Sequence, residues 1–219
     1  MGRRGEDHTI RGDRPAVAAR FSRPGSFRGV AGMADKMKKT PLVSPRSPAY
    51  ESGMKRVAVM CLLEGPEGFL LLKRSKPPHV GHYVPVGGHV ENYESPRRAV
   101  VREVKEETGI EVLDPILKGI VTETSPVDYN WIVYVYGARI PHLPPPSCPE
   151  GELSWVKPER LSALPVPEID RHMYRYLLEG RFFVFEAEYD QRITLAGLYD
   201  ELNQLPLLSG DLKTKGGTR

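Results

Sequence analysis

The segment GGHVENYESPRRAVVREVKEETGI, from Gly87 to Ile110, decides how the rest of this chain is interpreted. Ser95 is a favourable N-cap, Pro96 suits the first helical position, and Gly109 suits the left-handed residue that ends a helix. Between them, apolar residues recur at helical spacing: Ala99, Val100, Val101 and Val104. The segment therefore predicts an amphipathic helix over residues 96–108.

Three carboxylates crowd the end of this helix: Glu103, Glu106 and Glu107. They share one helix face, so each pair costs about 0.2–0.5 kcal/mol in repulsion. A solvated acidic face, with Arg102 paired to Glu106, is the simplest interpretation. A bound cation is the alternative, because it removes the repulsion. Oxygen-only ligands suit a hard divalent ion, and Mg²⁺ completes its shell with water and substrate phosphates. The cluster thus indicates phosphate chemistry.

The spacing of these residues resembles the Nudix box, G-x5-E-x7-R-E-U-x-E-E-x-G-U, in which U is aliphatic. All nine specified positions match, over 23 residues. The matching residues are Gly88, Glu94, Arg102, Glu103, Val104, Glu106, Glu107, Gly109 and Ile110. The flanking elements also resemble a Nudix fold from about residue 54 to about residue 200.

This resemblance implies hydrolysis of a nucleoside diphosphate linked to another group, by water attack at phosphorus with bound Mg²⁺ or Mn²⁺. The metal ligands that it implies are Glu103, Glu106, Glu107 and the carbonyl of Gly88. Glu103 is alternatively a general base. Arg102 and Glu94 resemble the pair that orients the catalytic helix and its preceding loop.

Two further residues are assigned from the same resemblance. Glu150 precedes a Trp-bearing strand, where such enzymes often supply another catalytic acid, and Glu152 is its rival. Arg74 ends the run FLLLKR and resembles a basic residue that contacts phosphates, whereas Lys73 points to the opposite face because strand side chains alternate. The simpler interpretation is that the two acids and the two basic residues are all solvated surface side chains.

The C-terminal part resembles MutT-type 8-oxo-dGTP diphosphatases. Glu168 and Asp170 are candidates for the acids that receive the oxidised purine, but Pro167 stands about where those relatives have Trp, and Val84 replaces an Asn. The resemblance therefore carries over fold and chemistry but not base specificity. Alternatively, both acids lie there only because the helix dipole favours negative charge at a helix N-terminus.

Two other functions remain open. An ADP-ribose or nucleotide-sugar pyrophosphatase is an alternative enzyme, and a non-catalytic nucleotide-binding regulator is an alternative of another class. The intact carboxylates argue against the second. His79, His82 and His89 lie near the predicted site and are simplest as loop histidines.

The remaining pattern predicts an α/β fold, a mixed β-sheet flanked by helices in an α/β/α sandwich. KRVAVMCLL and FLLLKR form a hairpin, LDPILKGIVTETS, YNWIVYVYGARI, LSWV and RFFVFEAEYD are further strands, and EIDRHMYRYLLEG is a second helix. ITLAGLYDELNQL adds a short strand or helix. The predicted domain spans residues 54–205, before a flexible tail over residues 206–219.

Residues 1–53 carry 11 Lys or Arg against 5 acids and lack a sustained apolar period, so we expect a disordered basic extension. A targeting segment and a later start at Met33, Met37 or Met54 are alternatives. No segment approaches the roughly 18 apolar residues of a membrane span. We expect a cytoplasmic protein whose partner is a small-molecule nucleotide, with no specific nucleic-acid or membrane partner. The sequence leaves monomer and homodimer open.

Overall fold

The computed structural model describes residues 53–208. Within this range lie eleven strands, two α-helices and one 3-10 helix. The strands are β1 (Arg56–Gly65), β2 (Gly68–Arg74), β3 (Tyr83–Val84), β4 (Val86–His89), β5 (Ile116–Thr124), β6 (Trp131–Arg139), β7 (Ser147–Cys148), β8 (Gly151–Val156), β9 (Phe183–Tyr189), β10 (Leu195–Asp200) and β11 (Leu205–Leu208). The helices are α1 (Pro96–Thr108), the 3-10 helix (Pro158–Ala163) and α2 (Glu168–Leu178).

Helix α1 begins and ends at the residues that the sequence predicts. The Ser95 side chain accepts a hydrogen bond from the backbone N–H of Arg98 at 3.4 Å. Gly109 adopts φ 72°, and its N–H donates to the carbonyl of Lys105. The cap and the left-handed glycine thus fix both ends of the helix that carries the carboxylates.

All eleven strands belong to one mixed sheet, with the order β11-β10-β9-β5-β6-β1-β2-β8-β7, while β3 pairs with β2 and β4 with β1. The pairs β1·β6 and β5·β9 are parallel. Strand β6 occupies one edge of β1, so β4 and β2 share the other. Strand β4 pairs with residues 58–61 and β2 with residues 63–65. The sheet therefore divides along β1, beside the end of α1.

The sheet is covered on both faces, which confirms the predicted α/β/α sandwich. On one face, Val59, Cys61 and Leu63 of β1 pack in a buried cluster with apolar residues of α1. On the other face, Met60 packs in the cluster that contains Met173 of α2. Alternation along β1 thus supplies both cores, because successive side chains in a strand point to opposite faces.

The C-terminal end of the domain differs from its predicted boundary. Residues 193–205 contribute a strand, β10, rather than a helix, and β11 pairs with β10 through residues 205–208. The segment predicted as a tail therefore begins inside a strand, because Leu205 to Leu208 find a partner edge. The predictions for residues 1–52 and 209–219 lie outside the described residues. No helix within residues 53–208 is long and apolar enough to cross a membrane.

Candidate active site

A pocket of about 450 Å³ opens where β1, β4 and the end of α1 meet. Its charged lining residues are Arg56, Arg74, Glu103, Glu107, Glu123 and Glu150. Aromatic side chains, including Trp131 and Tyr129, line another part of it. A larger depression of about 820 Å³ elsewhere on the domain holds none of the box carboxylates. The smaller pocket is therefore the candidate active site.

Two glycines in β4 bring the helix carboxylates against the backbone. A Cβ on Gly88 would lie 2.5 Å from the carboxylate atoms of Glu103, and a Cβ on Gly87 would lie 2.1 Å from the carbonyl oxygen of Val59. The N–H of Gly87 donates to Oε2 of Glu107 at 3.0 Å. Glycine at these two positions thus allows β4 to pair closely with β1 while α1 projects its acids over β4.

Arg102 connects helix α1 to the loop before it. Its Nε and Nη2 donate to the two carboxylate oxygens of Glu94 at 3.0 and 2.8 Å. Nη1 donates to Glu103 at 2.8 Å and to Glu106 at 3.1 Å, while Nη2 also donates to the carbonyl of His89 at 2.9 Å. The planar guanidinium can hold all these acceptors together because its donors form a rigid fork. The predicted pairing of Arg102 with Glu94 is present.

Glu150 and Arg74 meet on the other side of the pocket. Nη1 of Arg74 lies 3.0 Å from Oε2 of Glu150, and Nε of Arg74 donates to the carbonyl of Pro78 at 2.9 Å. Both side chains line the pocket, whereas Glu152 is exposed and Lys73 is absent from the lining. Of the two rival acids, the structure places Glu150 in the pocket.

Burial is the main cause that raises the pKa of Glu107 to about 7; the charges of Glu150 and Glu103 contribute to the rise, and the hydrogen bond from Gly87 opposes it. Burial also raises the pKa of Glu103, against the hydrogen bond from Arg102. Both shifts have the sign expected for neighbouring acids that lack a sufficient counter-charge. A divalent cation between them would reverse these shifts.

The residues fit such a cation in their chemistry. Glu103, Glu107 and Glu150 offer oxygen donors only, and the Gly88 backbone adjoins Glu103. In the part of the chain that the structure describes, no group of three His, Cys, Asp or Glu side chains is arranged to hold a metal ion as it stands. Glu103 and Glu150 are each paired with an arginine instead.

Three predicted site residues are placed elsewhere. Glu106 does not line the pocket; its side chain is 59% exposed and contacts Arg102. Glu168 is exposed at the start of α2, and Asp170 is buried beneath the surface, so neither lines the pocket. Their places on the first turn of α2 thus do not support the predicted contact with a base. Of the three loop histidines, His79 and His89 line the pocket and His82 does not.

Sequence reasoning did not single out Glu123, which lines the pocket and is only 6% exposed. A signal was available: Gly119, Val121 and Glu123 alternate along β5 and are all buried, so a carboxylate occupies an inward-facing strand position. Arg56 and Tyr129 were also missed as pocket residues. Their place in the pocket depends on long-range tertiary packing.

Comparison with known proteins agrees with this geometry. The NUDIX domain family matches residues 54–177. The uncharacterized Nudix hydrolase YvcI of Bacillus subtilis is 30% identical over 126 residues, which are 55% of this chain and 78% of the relative. The solved mutator MutT protein of Bacillus halodurans is 27% identical, with a TM-score of 0.60, over 67% of this chain and 98% of that protein.

A shorter match links the chain to the ADP-ribose pyrophosphatase of Methanocaldococcus jannaschii, which is 46% identical over 54 residues, or 25% of this chain and 32% of that relative. The family match alone covers more than half of the chain, and its residues include the whole box and the pocket carboxylates. This chain therefore belongs to the Nudix hydrolase family and is a pyrophosphohydrolase.

Proposed function

We propose that this protein hydrolyses a nucleoside triphosphate, including one with an oxidised purine, to the monophosphate and pyrophosphate, with Mg²⁺ or Mn²⁺ as cofactor. The observation that carries the proposal is the convergence of Glu103, Glu107 and Glu150 on one pocket beside Arg74. The likeness to the MutT protein of Bacillus halodurans, at 27% identity over nearly its whole length, supports the choice of a triphosphate.

In this proposal Glu103, Glu107 and the Gly88 carbonyl would hold the metal, and Glu106 would join them by leaving its contact with Arg102. When bound, the ion neutralises phosphate oxygens and lowers the pKa of a water. Arg74 exchanges its pairing with Glu150 for the substrate phosphates. The water oxygen bonds to phosphorus, the bridging P–O bond breaks and pyrophosphate leaves. The water proton passes to Glu150, or to Glu103 if Glu103 acts as the base instead of as a metal ligand. Arg102 and Glu94 keep the helix and loop aligned.

The alternative substrate is ADP-ribose or a nucleotide sugar, and the match to the Methanocaldococcus jannaschii enzyme favours it. That match covers about a third of the relative, and the MutT match covers nearly all of its counterpart. Product analysis separates the two, because a triphosphate yields pyrophosphate whereas ADP-ribose yields AMP and ribose phosphate.

The test is a hydrolysis panel of 8-oxo-dGTP, dGTP, GTP, ATP, ADP-ribose and UDP-glucose with Mg²⁺ or Mn²⁺, with products separated by anion exchange. Glu103→Gln should lower kcat/KM by about 100-fold or more, because it removes either a ligand or the proton acceptor. Glu111→Gln is the matched control, since Glu111 lies beyond the end of α1, is exposed, and pairs with Lys105. Preferred turnover of ADP-ribose would replace the proposed substrate, and nucleotide binding without turnover would overturn catalysis.

A further inference from the structure

The pocket has an aromatic end that the carboxylate chemistry does not use. The Trp131 ring lies 5.1 Å from the His89 ring and 6.3 Å from the Tyr129 ring, centroid to centroid. The guanidinium carbon of Arg56 lies 5.5 Å from the Trp131 centroid. All four side chains line the pocket. An indole in a pocket wall offers a flat surface on which an aromatic ring can stack.

A carboxylate lies at the same end. Oε1 of Glu123 accepts a hydrogen bond from the Tyr189 hydroxyl at 2.8 Å, and the Tyr129 hydroxyl interacts with the same carboxyl group. Nζ of Lys55 lies 2.6 Å from the Glu123 carbonyl oxygen and supplies a nearby positive charge. Burial raises the pKa of Glu123, and the two tyrosine hydroxyls and the Lys55 charge act against this rise. In its ionised form the carboxylate accepts hydrogen bonds and donates none.

Packing of the sheet does not require this carboxylate. Gly119 and Val121, on the same face of β5, are buried without charge, and burying a carboxylate is costly unless its hydrogen bonds are satisfied. Asp170 lies close to Glu123. Burial is the main cause that raises the pKa of Asp170, and the charge of Glu123 is the second. Asp170 is wholly enclosed, so it holds a proton more readily than Glu123, which borders the pocket. The pocket thus presents the Glu123 carboxyl group, held by tyrosine hydroxyls, beside an aromatic wall.

The strand register sets this end apart from the metal-binding end. Arg56 of β1 pairs with Trp131, and Val59 pairs with Gly88. Three residues of strand span roughly 10 Å. A nucleotide lying along β1 would therefore place its phosphates near Gly88 and its base near Trp131.

We propose that Trp131 stacks on the base of the substrate and that the Glu123 carboxylate accepts hydrogen bonds from its edge, so that the protein selects guanine nucleotides. Guanine and its 8-oxo form present two adjacent donors, N1–H and the 2-amino group. Hypoxanthine keeps only N1–H, and adenine presents an acceptor beside a donor. The inference rests on the proposed function, because it assumes that the pocket binds a nucleotide.

Trp131 and Trp155 are the two tryptophans of the chain, so Trp155→Phe leaves Trp131 as the single indole. Titrating this full-length variant with GMP, IMP or AMP, without metal, should quench its fluorescence. We expect GMP to half-saturate at a concentration about 5- to 100-fold below that of AMP, with IMP between them. Trp131→Phe, which retains Trp155 outside the pocket, should show no quenching.

Glu123→Gln keeps a carbonyl acceptor for the tyrosine hydroxyls but removes the charge and adds donors, so the preference for GMP over AMP should fall to near unity. Glu186→Gln is the matched control, because Glu186 is exposed on the neighbouring strand β9 and lies outside the pocket. A preference that persists in Glu123→Gln, or equal quenching by GMP and AMP, would overturn the inference.

The hydrolysis panel distinguishes the two proposals. Turnover of triphosphates with no preference for guanine leaves the hydrolase standing and overturns the base site. Quenching with the expected preference, but without turnover of any substrate, supports the base site and overturns the proposed catalysis.

Discussion

Arg102→Met tests whether one guanidinium supports the helix that carries the box carboxylates. The change removes the guanidinium donors to Glu94, Glu103 and Glu106. It leaves the Glu94 side chain, only 14% exposed, with the backbone N–H of Glu91 as a donor but without its charged partner. Breaking a buried ion pair from one side costs about 3–5 kcal/mol. Arg102 keeps 23% exposure, so water screens part of this. We expect a loss of about 2–4 kcal/mol in the free energy of unfolding.

Such a loss should lower Tm by about 5–15 °C in a domain of this size. Urea unfolding followed by circular dichroism measures it directly. Arg98→Met is the matched control, because Arg98 is exposed on the first turn of the same helix. The unfolding free energy of Arg102→Lys should fall between those of Arg102→Met and Arg98→Met, since an ammonium cannot pair with both oxygens of Glu94 in the same way.

The pH dependence sharpens the test. The hydrogen bond from Arg102 is the main cause that lowers the pKa of Glu94. A carboxyl group with a lowered pKa stabilises the fold above its unfolded value, about 4.3, and loses that contribution as the pH falls through its folded pKa. The stability gap between wild type and Arg102→Met should therefore be full at neutral pH and shrink below about pH 4. Equal stability of Arg102→Met and Arg98→Met at neutral pH would refute the reasoning.

Three further changes have definite expected outcomes. Gly109→Ala should cost about 1–2 kcal/mol in unfolding free energy, because φ is 72° at the end of α1. Tyr174→Phe should change stability by less than about 1 kcal/mol in urea unfolding, since the buried hydroxyl has no hydrogen-bond partner among residues 53–208. Asp170→Asn should raise Tm, because burial raises the pKa of Asp170 and the fold then disfavours its charged form. Since a raised carboxyl pKa destabilises the fold above its unfolded value, thermal melts should show that gain growing as the pH rises above about 4.

The sequence predicts the local features of the fold well because they depend on local physics. Ser95 and Gly109 determine the ends of α1 through backbone geometry within a few residues. The β1–β2 hairpin follows from two apolar runs joined by a short turn. The parallel pairing of β1 with β6 does not follow in this way, since the two strands are separated by α1 and β5 and meet only through tertiary packing.

The site residues show the same difference between local and long-range features. The box residues share a helix and its loop, so spacing alone brings Arg102 to Glu94. Glu168 and Asp170 were candidates through the resemblance to MutT-type enzymes, but helical phase exposes Glu168 and buries Asp170, and neither lines the pocket. The pairing of Arg74 with Glu150 joins the end of β2 to the turn between β7 and β8, 76 positions later in the chain, so only the fold reveals it.

Strand β1 lies between the carboxylate end of the pocket and its aromatic end. Its antiparallel partner β4 carries the glycines under Glu103 and Glu107, whereas its parallel partner β6 carries Trp131 and brings β5 with Glu123 alongside. Substitutions in β5 and β6 thus alter the base end of the pocket without changing the spacing of the box. A fold arranged in this way can retain its hydrolytic residues while the base that it accepts changes. Base preference in this chain is therefore better sought in residues 123–131 than in the helix that identifies its family.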